Sequence, residues 1–574
     1  MVSLGRRAID CALRPASVAV IGVSETPGSP GQNAVRNLIR SGFEGAIHIV
    51  SRSGAEVEGI ASVRAIEDLP SGIDLAILAL PASAVLDAVR SCAAREIGVA
   101  VIFASGFAEL GEEGLAAQNA LAQAAKAGGM ALIGPNCLGY GSRAERIAVG
   151  FGPGSIDPAK PFSGPAVAIL SQSGGMVATA GLALGARNIP VSHSVSTGNE
   201  AVLSLEDFLA DFAADEATRS IILYAEQIRR PEAFLAGVRA CRELGKAVVM
   251  LHPGRSERAQ EAAHSHSGAM AGDHEAMRVL ATHAGAVFVE TLEELVDAAE
   301  LLASAKEAPT RGVGVLTASG AVCGIALDYC DRIGLDVPHL TEATLETLRQ
   351  ALPPFAQPAN PLDLTTQPQR EPELLGKGLQ ALMDDPGIGS VVIAITPGGP
   401  AQSVKYFDGL QPALGQATKP LSLAIMGDGS HLTDEFMARV HESRVAFTRS
   451  PERALRAMAA ITAHGRMVER AARADARSHA SQPESGAGTP IPIPEYRAKQ
   501  ALGRMGIAQS PGGLAADPAE AAQIAGSFGY PVALKAQSAE LLHKTDAGGV
   551  ALDVADEAAL HAAWQAVAQA VAAR

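Results

Sequence analysis

The chain has 574 residues, of which 48% are hydrophobic, only 4% are aromatic and 59 are glycine. A chain of this length holds about three to five domains, and aliphatic residues with glycine-rich turns favour α/β domains built on buried parallel strands. The formal net charge of −15 argues against a general nucleic-acid-binding protein and against a protein that binds anionic membranes.

The cysteines and the apolar runs exclude further classes. The six cysteines show neither CxxC pairs nor metal-ligand spacing with histidine, so we predict small core residues and no metal site. The apolar run at 17–23 is too short for a signal peptide. No run reaches about 20 apolar residues, the length of a membrane span. The sequence thus predicts a cytoplasmic protein.

In chain order, the first unit alternates short β-rich runs with amphipathic helical stretches. Helices such as 82–95 lie between the predicted strands, which we place at 17–23, 46–50, 74–80, 99–103 and 131–133. The alternation predicts a doubly wound parallel sheet that ends near Gly150.

The turns of this unit indicate a phosphate-bearing ligand other than NAD. The glycines from Gly22 to Gly31 miss the GxGxxG spacing, and the second strand ends at Ser51-Arg52 rather than in an acidic residue. Arg52 could instead meet a phosphate, as in NADP or coenzyme A. The GPNCLG turn at 134–139 follows the last strand, so a ligand-binding turn and a rigid connector both stay open.

Two further α/β sets and a final region follow. The second set has strands at 166–170, 220–224 and 247–251 and ends in a helix at 291–305. The third set has strands at 312–316, 390–395 and 420–425. The stretch 466–490, with its Ala, Ser, Gly, Pro and charged residues, predicts a linker, and a fourth region starts at Ile491.

Each of the first three units opens with a strand, a small glycine-bearing turn and a helix. The turns lie at 22–31, 171–175 and 317–321. A helix N-terminus offers free N–H groups and a positive dipole end to phosphate, although any single turn is equally explained by helix–sheet packing. Three such turns in one acidic chain favour a protein that moves phosphate.

A histidine loop at 264–272, HSHSGAMAG, lies between two apolar helical stretches. A neutral imidazole is nucleophilic, so a histidine here could carry a phosphoryl group as a covalent intermediate. Gly268 and Gly272 leave room for a ligand beside the ring. A solvated surface loop that happens to contain histidines is the alternative.

Several motifs occur together in one order along the chain: GPNCLG, SQSGG at 171–175, STGNE at 196–200, ILYAEQI ending a strand at Glu226, GRS at 254–256, SHSGAMAG, NPLDL at 360–364 and LLHKTDAGGV at 541–550. In this combination the sequence resembles the nucleoside-diphosphate-forming acyl-CoA synthetases, relatives of succinyl-CoA synthetase. The resemblance runs from about Arg14 to the end of the chain.

The resemblance implies an α/β fold with four parts. They are a Rossmann-like CoA-binding domain at 1–150, a flavodoxin-like domain with the phosphohistidine loop at 151–305, a second flavodoxin-like ligase domain at 306–465 and, after a linker at 466–490, the first part of an ATP-grasp domain at 491–574. An ATP-grasp unit needs two subdomains. We therefore expect the rest on another chain or beyond a truncated end, and we expect this chain alone to turn over ATP poorly.

The resemblance also implies the reaction, an acid–thiol ligase that forms acyl-CoA from a carboxylic acid, CoA and ATP. ADP and phosphate are released, and the intermediates are an acyl phosphate and a phosphohistidine. By position His266 is the phosphorylated histidine, Glu226 orients or balances it, and His543 is a second phosphoryl carrier.

The remaining site residues follow from the same resemblance. The candidate CoA contacts are Gly22, Ser24, Arg52 and Asn136. Phosphate would be held by two helix starts, Ser171, Ser173 and Gly174 in one and Ser319 and Gly320 in the other. Lys535 would contact the nucleotide phosphates, and the complete enzyme would use Mg²⁺, for which no ligand residue is assigned.

Two other functions compete with the ligase. Similar domains joined to acetyltransferases bind small ligands and regulate, but a sensor has no need of His266, Glu226 and His543 together. An NADP-linked oxidoreductase is disfavoured because GxGxxG is missing. Acetate, a branched-chain acid and an aryl acid are all compatible with the sequence as the acyl substrate, and the low aromatic content slightly favours a small aliphatic acid. We also expect a homo-oligomer, or a partner chain that supplies the rest of the ATP-grasp domain.

Overall fold

The computed structural model describes residues 4–152, 165–259, 273–353, 357–396, 399–427, 429, 431–478, 493–538, 541 and 544–572. The chain divides into two compact units, Met1–Arg477 and Ser478–Arg574. The first unit holds three sheets and the second holds one. The α/β fold with parallel sheets that we predicted is confirmed.

The first sheet is parallel, with the strand order β3-β2-β1-β4-β5-β6. Its central strands are aliphatic and fully buried because helices cover both faces. The strands are β1 (Ser17–Ile21), β2 (Ala46–Val50), β3 (Ser62–Val63), β4 (Leu75–Leu78), β5 (Val99–Ile102) and β6 (Ala131–Ile133). The helices are α1 (Leu4–Leu13), α2 (Pro30–Arg40), α3 (Ala82–Ala94) and α4 (Glu112–Ala127).

The second sheet has seven strands, in the order β13-β12-β11-β9-β10-β7-β8. The strands are β7 (Tyr140–Ser142), β8 (Ile147–Val149), β9 (Ala166–Ser171), β10 (Val191–Ser196), β11 (Thr218–Tyr224), β12 (Ala247–Leu251) and β13 (Ala286–Val289). The helices are α5 (Gly174–Ala186), α6 (Leu205–Ala214), α7 (Pro231–Glu243), α8 (His274–Ala284) and α9 (Leu292–Ser304).

The hairpin β7–β8 differs from the sequence prediction, which placed it in the first unit. It pairs antiparallel with β10, where Ser142 lies opposite His193. The hairpin covers an edge that would otherwise leave backbone groups of β10 unpaired, and it buries Tyr140, Ile147 and Val149. The sequence stretch from 140 to 149 therefore belongs to the second sheet.

The third sheet is parallel, with the order β15-β14-β16-β17-β18. Its strands are β14 (Val313–Thr317), β15 (Leu362–Asp363), β16 (Ser390–Ile395), β17 (Leu421–Ile425) and β18 (Ala446–Thr448). The helices are α10 (Gly320–Ile333), α11 (Glu342–Ala351), α12 (Glu373–Asp384), α13 (Pro400–Leu414), α14 (Asp434–Ser443) and α15 (Pro451–Ser478).

Helix α15 also corrects the sequence prediction, because it covers the first half of the expected linker at 466–490. Residues 466–478 are mostly Ala, Arg and Glu, which are strong helix formers. The Arg466 guanidinium donates to the Thr310 carbonyl at 2.9 Å, and Arg473 pairs with Glu469 one turn earlier at 2.6 Å. Composition alone had suggested a flexible segment.

Shared cores join the three sheets of the first unit. One hydrophobic cluster combines Ile133 of the first sheet with Val195 of the second sheet and Phe208 of α6. Another combines Ile169 of the second sheet with Val315 of the third and Met458 of α15. Close packing across these cores fixes the loops at the sheet edges relative to one another.

The second unit is smaller. Its antiparallel pair is β19 (Val532–Lys535) and β20 (Val550–Val554), and its helices are α16 (Glu495–Arg504), α17 (Pro518–Phe528) and α18 (Glu557–Ala572). A small core forms around Ala521, Ala525, Val554 and Leu560.

Candidate active site

A cavity of about 420 Å³ lies where the first and second sheets meet. Its wall is built from loops at the carboxyl ends of β5, β6, β9, β10 and β11, which is the edge where α/β proteins bind ligands. The described residues that line it are Phe103, Ser105, Asn136, Cys137, Leu138, Phe151, Gln172, Ser173, Gly174, Gly175, Gly198, Asn199, Glu226, Gln227 and Arg229.

The GPNCLG turn and the STGNE loop form one side of the cavity. A Cβ on Gly198 would lie 2.3 Å from the Pro135 carbonyl oxygen, so only glycine allows the two backbones to approach this closely. The Asn136 side-chain amide donates to the Asn199 Oδ1 at 3.3 Å. The turn is therefore a fixed wall of the cavity as well as a connector.

The start of α5 forms the opposite side. Ser173 is the N-cap residue, and its hydroxyl makes no capping hydrogen bond with the described residues of the helix. Ser171, at the end of β9, stabilises this turn because its hydroxyl donates to the Ser173 carbonyl at 2.8 Å. A Cβ on Gly174 would lie 2.4 Å from the Cγ of Leu138. The helix start thus presents backbone N–H groups to the cavity.

Glu226 lies just beyond β11 and is held by Gln172. The Gln172 Oε1 accepts from the backbone N–H groups of Glu226 at 2.6 Å and Gln227 at 2.9 Å. Burial, followed by the charge of Glu226 and a hydrogen bond to it, raises the pKa of Tyr224 to about 12. The carboxylate of Glu226 therefore reaches the cavity on a backbone whose position is fixed.

Arg229 and Glu200 form an ion pair at the rim of the same cavity. The Arg229 Nε donates to the Glu200 Oε2 at 3.2 Å, and the Glu200 side chain is only 1% exposed. Burial, followed by the charge of Glu206, raises the pKa of Glu200 to about 7 against the opposing effect of Arg229.

Cys137 is a further side chain of the cavity wall. Burial raises the pKa of its thiol to about 12, and its Sγ donates to the Ile102 carbonyl at 3.4 Å. The thiol therefore stays protonated near neutral pH, which disfavours a role as a nucleophile.

Four of the sequence-predicted residues come together at this cavity, namely Asn136, Ser173, Gly174 and Glu226, with Ser171 directly beneath. His266 and His543 lie outside the described residues.

Three of the predicted CoA contacts lie elsewhere along the first sheet. Gly22 and Ser24 follow β1, and Arg52 follows β2, its parallel neighbour. Gly22 has a φ of +93°, and a Cβ there would lie 2.4 Å from the Ala79 carbonyl oxygen, so this turn requires glycine. These three residues share the carboxyl edge of the sheet but are not among the described lining residues.

The second predicted helix start, Ser319–Gly320, is also separate from the cavity lining. A Cβ on Gly320 would lie 3.2 Å from the Asp363 Oδ2. A carboxylate at this distance opposes the binding of a phosphate there.

Lys535 ends β19 in the second unit. Its Nζ lies 3.2 Å from the Glu495 Oε1, and Lys544 contacts the other oxygen of that carboxylate at 3.4 Å. Lys499 lies 3.8 Å from the same group. Three lysines thus contact one carboxylate.

Sequence reasoning missed Gln172, Glu200 and Arg229 as individual site residues, although all three lie in or next to motifs that carried the resemblance. It also missed the edge-to-face pair Phe103–Phe151, whose ring centres are 4.9 Å apart. That pair joins positions 48 residues apart, and no local pattern marks it.

The described residues hold neither a candidate metal centre nor a candidate membrane-spanning helix. The His, Cys, Asp and Glu side chains do not converge there in groups of three that could hold a metal ion. Among the described helices, we find none with both the length and the hydropathy of a membrane span.

Three family models match the chain. A CoA binding domain matches residues 16–142, a succinyl-CoA ligase like flavodoxin domain matches 164–302, and an ATP-grasp domain matches 492–574.

Curated relatives and solved structures agree with these models. The chain is 40% identical to trans-feruloyl-CoA synthase FCS1 of an unknown prokaryotic organism, covering 95% of this chain and 77% of that protein. It is 31% identical to acetate–CoA ligase [ADP-forming] I of Archaeoglobus fulgidus, covering 94% and 77%. The structure of the dinucleotide-forming acetyl-coenzyme A synthetase 1 of Ca. Korarchaeum cryptofilum, in complex with phosphate and ADP, matches with a TM-score of 0.73. Its sequence identity is 26%, and the match covers 82% of this chain and 99% of that one.

The matches to the CoA-binding, ligase and ATP-grasp models run in the same order as the sequence motifs. The 40% identical relative, three quarters of which is covered, extends the likeness over nearly the whole chain. This chain belongs to the ADP-forming acyl-CoA synthetases, the ligases that join a carboxylic acid to CoA.

Proposed function

We propose that the cavity between the first and second sheets is the place where the acyl group, phosphate and CoA thiol meet. The observation that carries this proposal is the convergence of a free helix start, a carboxylate and a guanidinium on one cavity, at Gly174, Glu226 and Arg229. N–H groups and a cation stabilise a phosphate, and a carboxylate orients an imidazole. These groups are suited to a site where a histidine is phosphorylated.

In the proposed reaction His266 carries the phosphoryl group. The N–P bond of phosphohistidine breaks while a carboxylate oxygen of the substrate forms a new O–P bond, which gives the acyl phosphate. The CoA sulfur then attacks the acyl carbon, the C–O bond breaks, phosphate leaves and the thiol proton passes to solvent. The Gly174 and Gly175 N–H groups would stabilise the phosphate charge, and Glu226 would hold the imidazole.

The acyl group that we propose is an aromatic propenoate of the ferulate type. The relative with 40% identity is named for feruloyl-CoA, and the cavity wall carries the Phe103–Phe151 pair, whose edges and faces suit an aryl ring. This choice replaces the small aliphatic acid that the composition favoured. Acetate is the second candidate, because a 31% identical relative is named as an acetate–CoA ligase.

CoA would bind to the first sheet, and the nucleotide would bind to the second unit. Gly22, Ser24, Arg52 and Asn136 are the proposed CoA contacts. Ser171 and Ser173 support the phosphate site, whereas Ser319 and Gly320 have weaker support because Asp363 lies beside them. In the second unit Lys535 would hold nucleotide phosphates and His543 would relay the phosphoryl group. Mg²⁺ would accompany ATP, and no step is assigned to its ligands.

We also propose four functional regions: CoA binding in the first sheet, phosphoryl and acyl transfer in the second, a supporting ligase domain in the third, and nucleotide binding after 491. A homo-oligomer, or a partner chain that completes the nucleotide site, stays part of this proposal. The use of ATP and CoA is consistent with a cytoplasmic protein.

The test is the reverse half-reaction with radiolabelled inorganic phosphate and either feruloyl-CoA or acetyl-CoA, which requires no nucleotide site. We expect an acid-labile, base-stable label on the wild-type chain that is absent from His266→Ala. His264→Ala is the matched control, two residues away in the sequence, and it should keep the label. Label that persists in His266→Ala would contradict the assignment, and the thioester that works identifies the acyl group.

A further inference from the structure

Arg229 is the one cationic side chain among the described residues that line the cavity. The chain is strongly acidic, with a net charge of −15, and Glu226 adds a negative charge to the same wall. The net negative charge of the protein therefore repels any anion that enters the cavity. The guanidinium of Arg229 is the positive charge in the described wall that counteracts this repulsion.

The guanidinium of Arg229 is held by hydrogen bonds through Nε and Nη2, and its Nη1 can reach a ligand. Its Nε donates to the Glu200 Oε2 at 3.2 Å, and its Nη2 donates to the Asn199 carbonyl at 2.8 Å. Its Nη1 makes no hydrogen bond with the described residues. The side chain is 36% exposed, so a ligand can reach it.

Glu200 is built as a rigid support for this arginine. Its Oε1 accepts from the Thr197 hydroxyl and the Leu205 N–H, both at 2.9 Å. Its Oε2 accepts from Arg229 and, at 2.9 Å, from the Gln172 amide. A buried carboxylate with four donors has one orientation, and it fixes the plane of the guanidinium.

We propose that Arg229 binds an oxyanion in the cavity, the phosphate or the carboxylate of the reacting substrate, and that Glu200 is its positioning residue. The inference rests on the proposed function, since it assigns the oxyanion to the acyl-transfer site. Arginine suits this role because its planar donors match the oxygens of both anions. Glu200 also orients Gln172, which in turn holds the backbone of Glu226.

Arg230 provides a matched control. It follows Arg229 directly, and the backbone N–H groups of both residues donate to the Glu206 Oε1, at 3.1 and 2.9 Å. The Arg230 side chain is also salt-bridged, with its Nη2 2.6 Å from the Asp207 Oδ2, and is 47% exposed. It is not among the described residues of the cavity wall. A general effect of removing surface charge would therefore appear in both variants.

The first measurement is the phosphate concentration that gives half-maximal labelling of the chain, at saturating acyl-CoA. We expect Arg229→Gln to raise this half-saturating phosphate concentration about tenfold or more, since a charged hydrogen bond is lost. Arg229→Lys should recover part of the loss, and Arg230→Gln should stay within about twofold. Competition by free ferulate forms the second arm: a loss of ferulate competition with unchanged phosphate saturation identifies the carboxylate as the ligand.

A positioning role for Glu200 predicts that Glu200→Gln raises the same half-saturating concentration by about threefold to tenfold, with the maximal labelling less affected. If Arg229→Gln changes neither phosphate saturation nor ferulate competition, the inference is wrong even though the proposed function stands.

A separate readout covers the case in which the wild type takes no label. Inorganic phosphate alone should raise the melting temperatures of the wild type and of Arg230→Gln. The increase should be smaller for Arg229→Gln. The same titration with free ferulate tests the carboxylate, and equal shifts in all three proteins with both phosphate and ferulate would overturn the inference independently of turnover.

Discussion

Two strand-to-helix turns of this protein begin alike and lie in different surroundings. Ser173–Gly174 follows the buried strand β9, and Ser319–Gly320 follows the buried strand β14. In both, a serine is the N-cap residue without a capping bond to the described helix, and a glycine opens the helix. The first faces a cavity with Arg229 and Glu226, whereas the second faces the Asp363 carboxylate.

The difference leads us to expect that a helix start binds phosphate only where neighbouring loops supply space and a compensating charge. The dipole and the free N–H groups are the same in both turns. A carboxylate 3.2 Å from the position of a Gly320 Cβ opposes the anion that the dipole attracts.

The largest effect is expected at the two carboxylates. If Glu226 orients the His266 imidazole as proposed, Glu226→Gln should lower the rate of phosphoenzyme formation about 10- to 100-fold. Asp363→Asn removes the corresponding acid at the other turn and should change the rate by less than about twofold. Stopped-time labelling with radiolabelled phosphate measures both, and equal losses would contradict the contrast.

The next largest effect is expected at Gly174 and Gly320, the glycines that open the two helices. Gly174→Ala places a Cβ 2.4 Å from the Leu138 Cγ, and we expect a loss of about 1–3 kcal/mol of unfolding free energy together with a distorted cavity. Gly320→Ala meets only the Asp363 Oδ2 at 3.2 Å and should be close to neutral. Denaturant titration measures the difference.

A double variant checks the cause of the Gly174→Ala effect. Leu138→Ala removes the clashing side chain, so Gly174→Ala with Leu138→Ala should regain stability relative to Gly174→Ala alone. Additive losses in the double variant would rule out the clash.

Because Glu200 is buried, we expect the free energy of unfolding to depend on pH. Burial raises the pKa of Glu200 from 4.5 to about 7, so between these two pH values the folded state holds a proton that the unfolded state has released, and the ionised carboxylate that pairs with Arg229 forms as the pH rises through about 7. The stabilising contribution is complete below pH 4.5 and is lost as the pH rises through about 7. In Glu200→Gln this loss, roughly 1–3 kcal/mol, should disappear. Unfolding free energies from pH 4.5 to 8 measure it, and parallel curves for both proteins would contradict the assignment.

The smallest effect is expected at the two N-cap serines. Neither hydroxyl caps its helix, so Ser173→Ala and Ser319→Ala should each cost less than about 0.5 kcal/mol of unfolding free energy. Only Ser173→Ala should weaken phosphate saturation, by about twofold to fivefold. Phosphate titration of the labelling reaction distinguishes them, and an equal effect at Ser319 would return that turn to the site.

Much of the fold was readable because parallel strands buried on both faces are short aliphatic runs. The predicted runs at 46–50, 131–133 and 390–395 coincide with β2, β6 and β16. The hairpin β7–β8 was assigned to the wrong sheet because its partner, β10, lies about fifty residues further along the chain. The helix through 466–478 was missed because composition was weighed above helix propensity.

The sequence by itself determined the family, because the GPNCLG, SQSGG and SHSGAMAG motifs are local patterns whose order along the chain is visible without coordinates. It also determined the strand-to-helix turns, since a buried strand followed by small residues has few other conformations. Only the tertiary structure decided which of those turns lines a cavity, that Phe103 meets Phe151, and that Glu200 supports Arg229. The physical reason is that burial and distance depend on contacts between residues far apart in the chain, and local patterns do not encode such contacts.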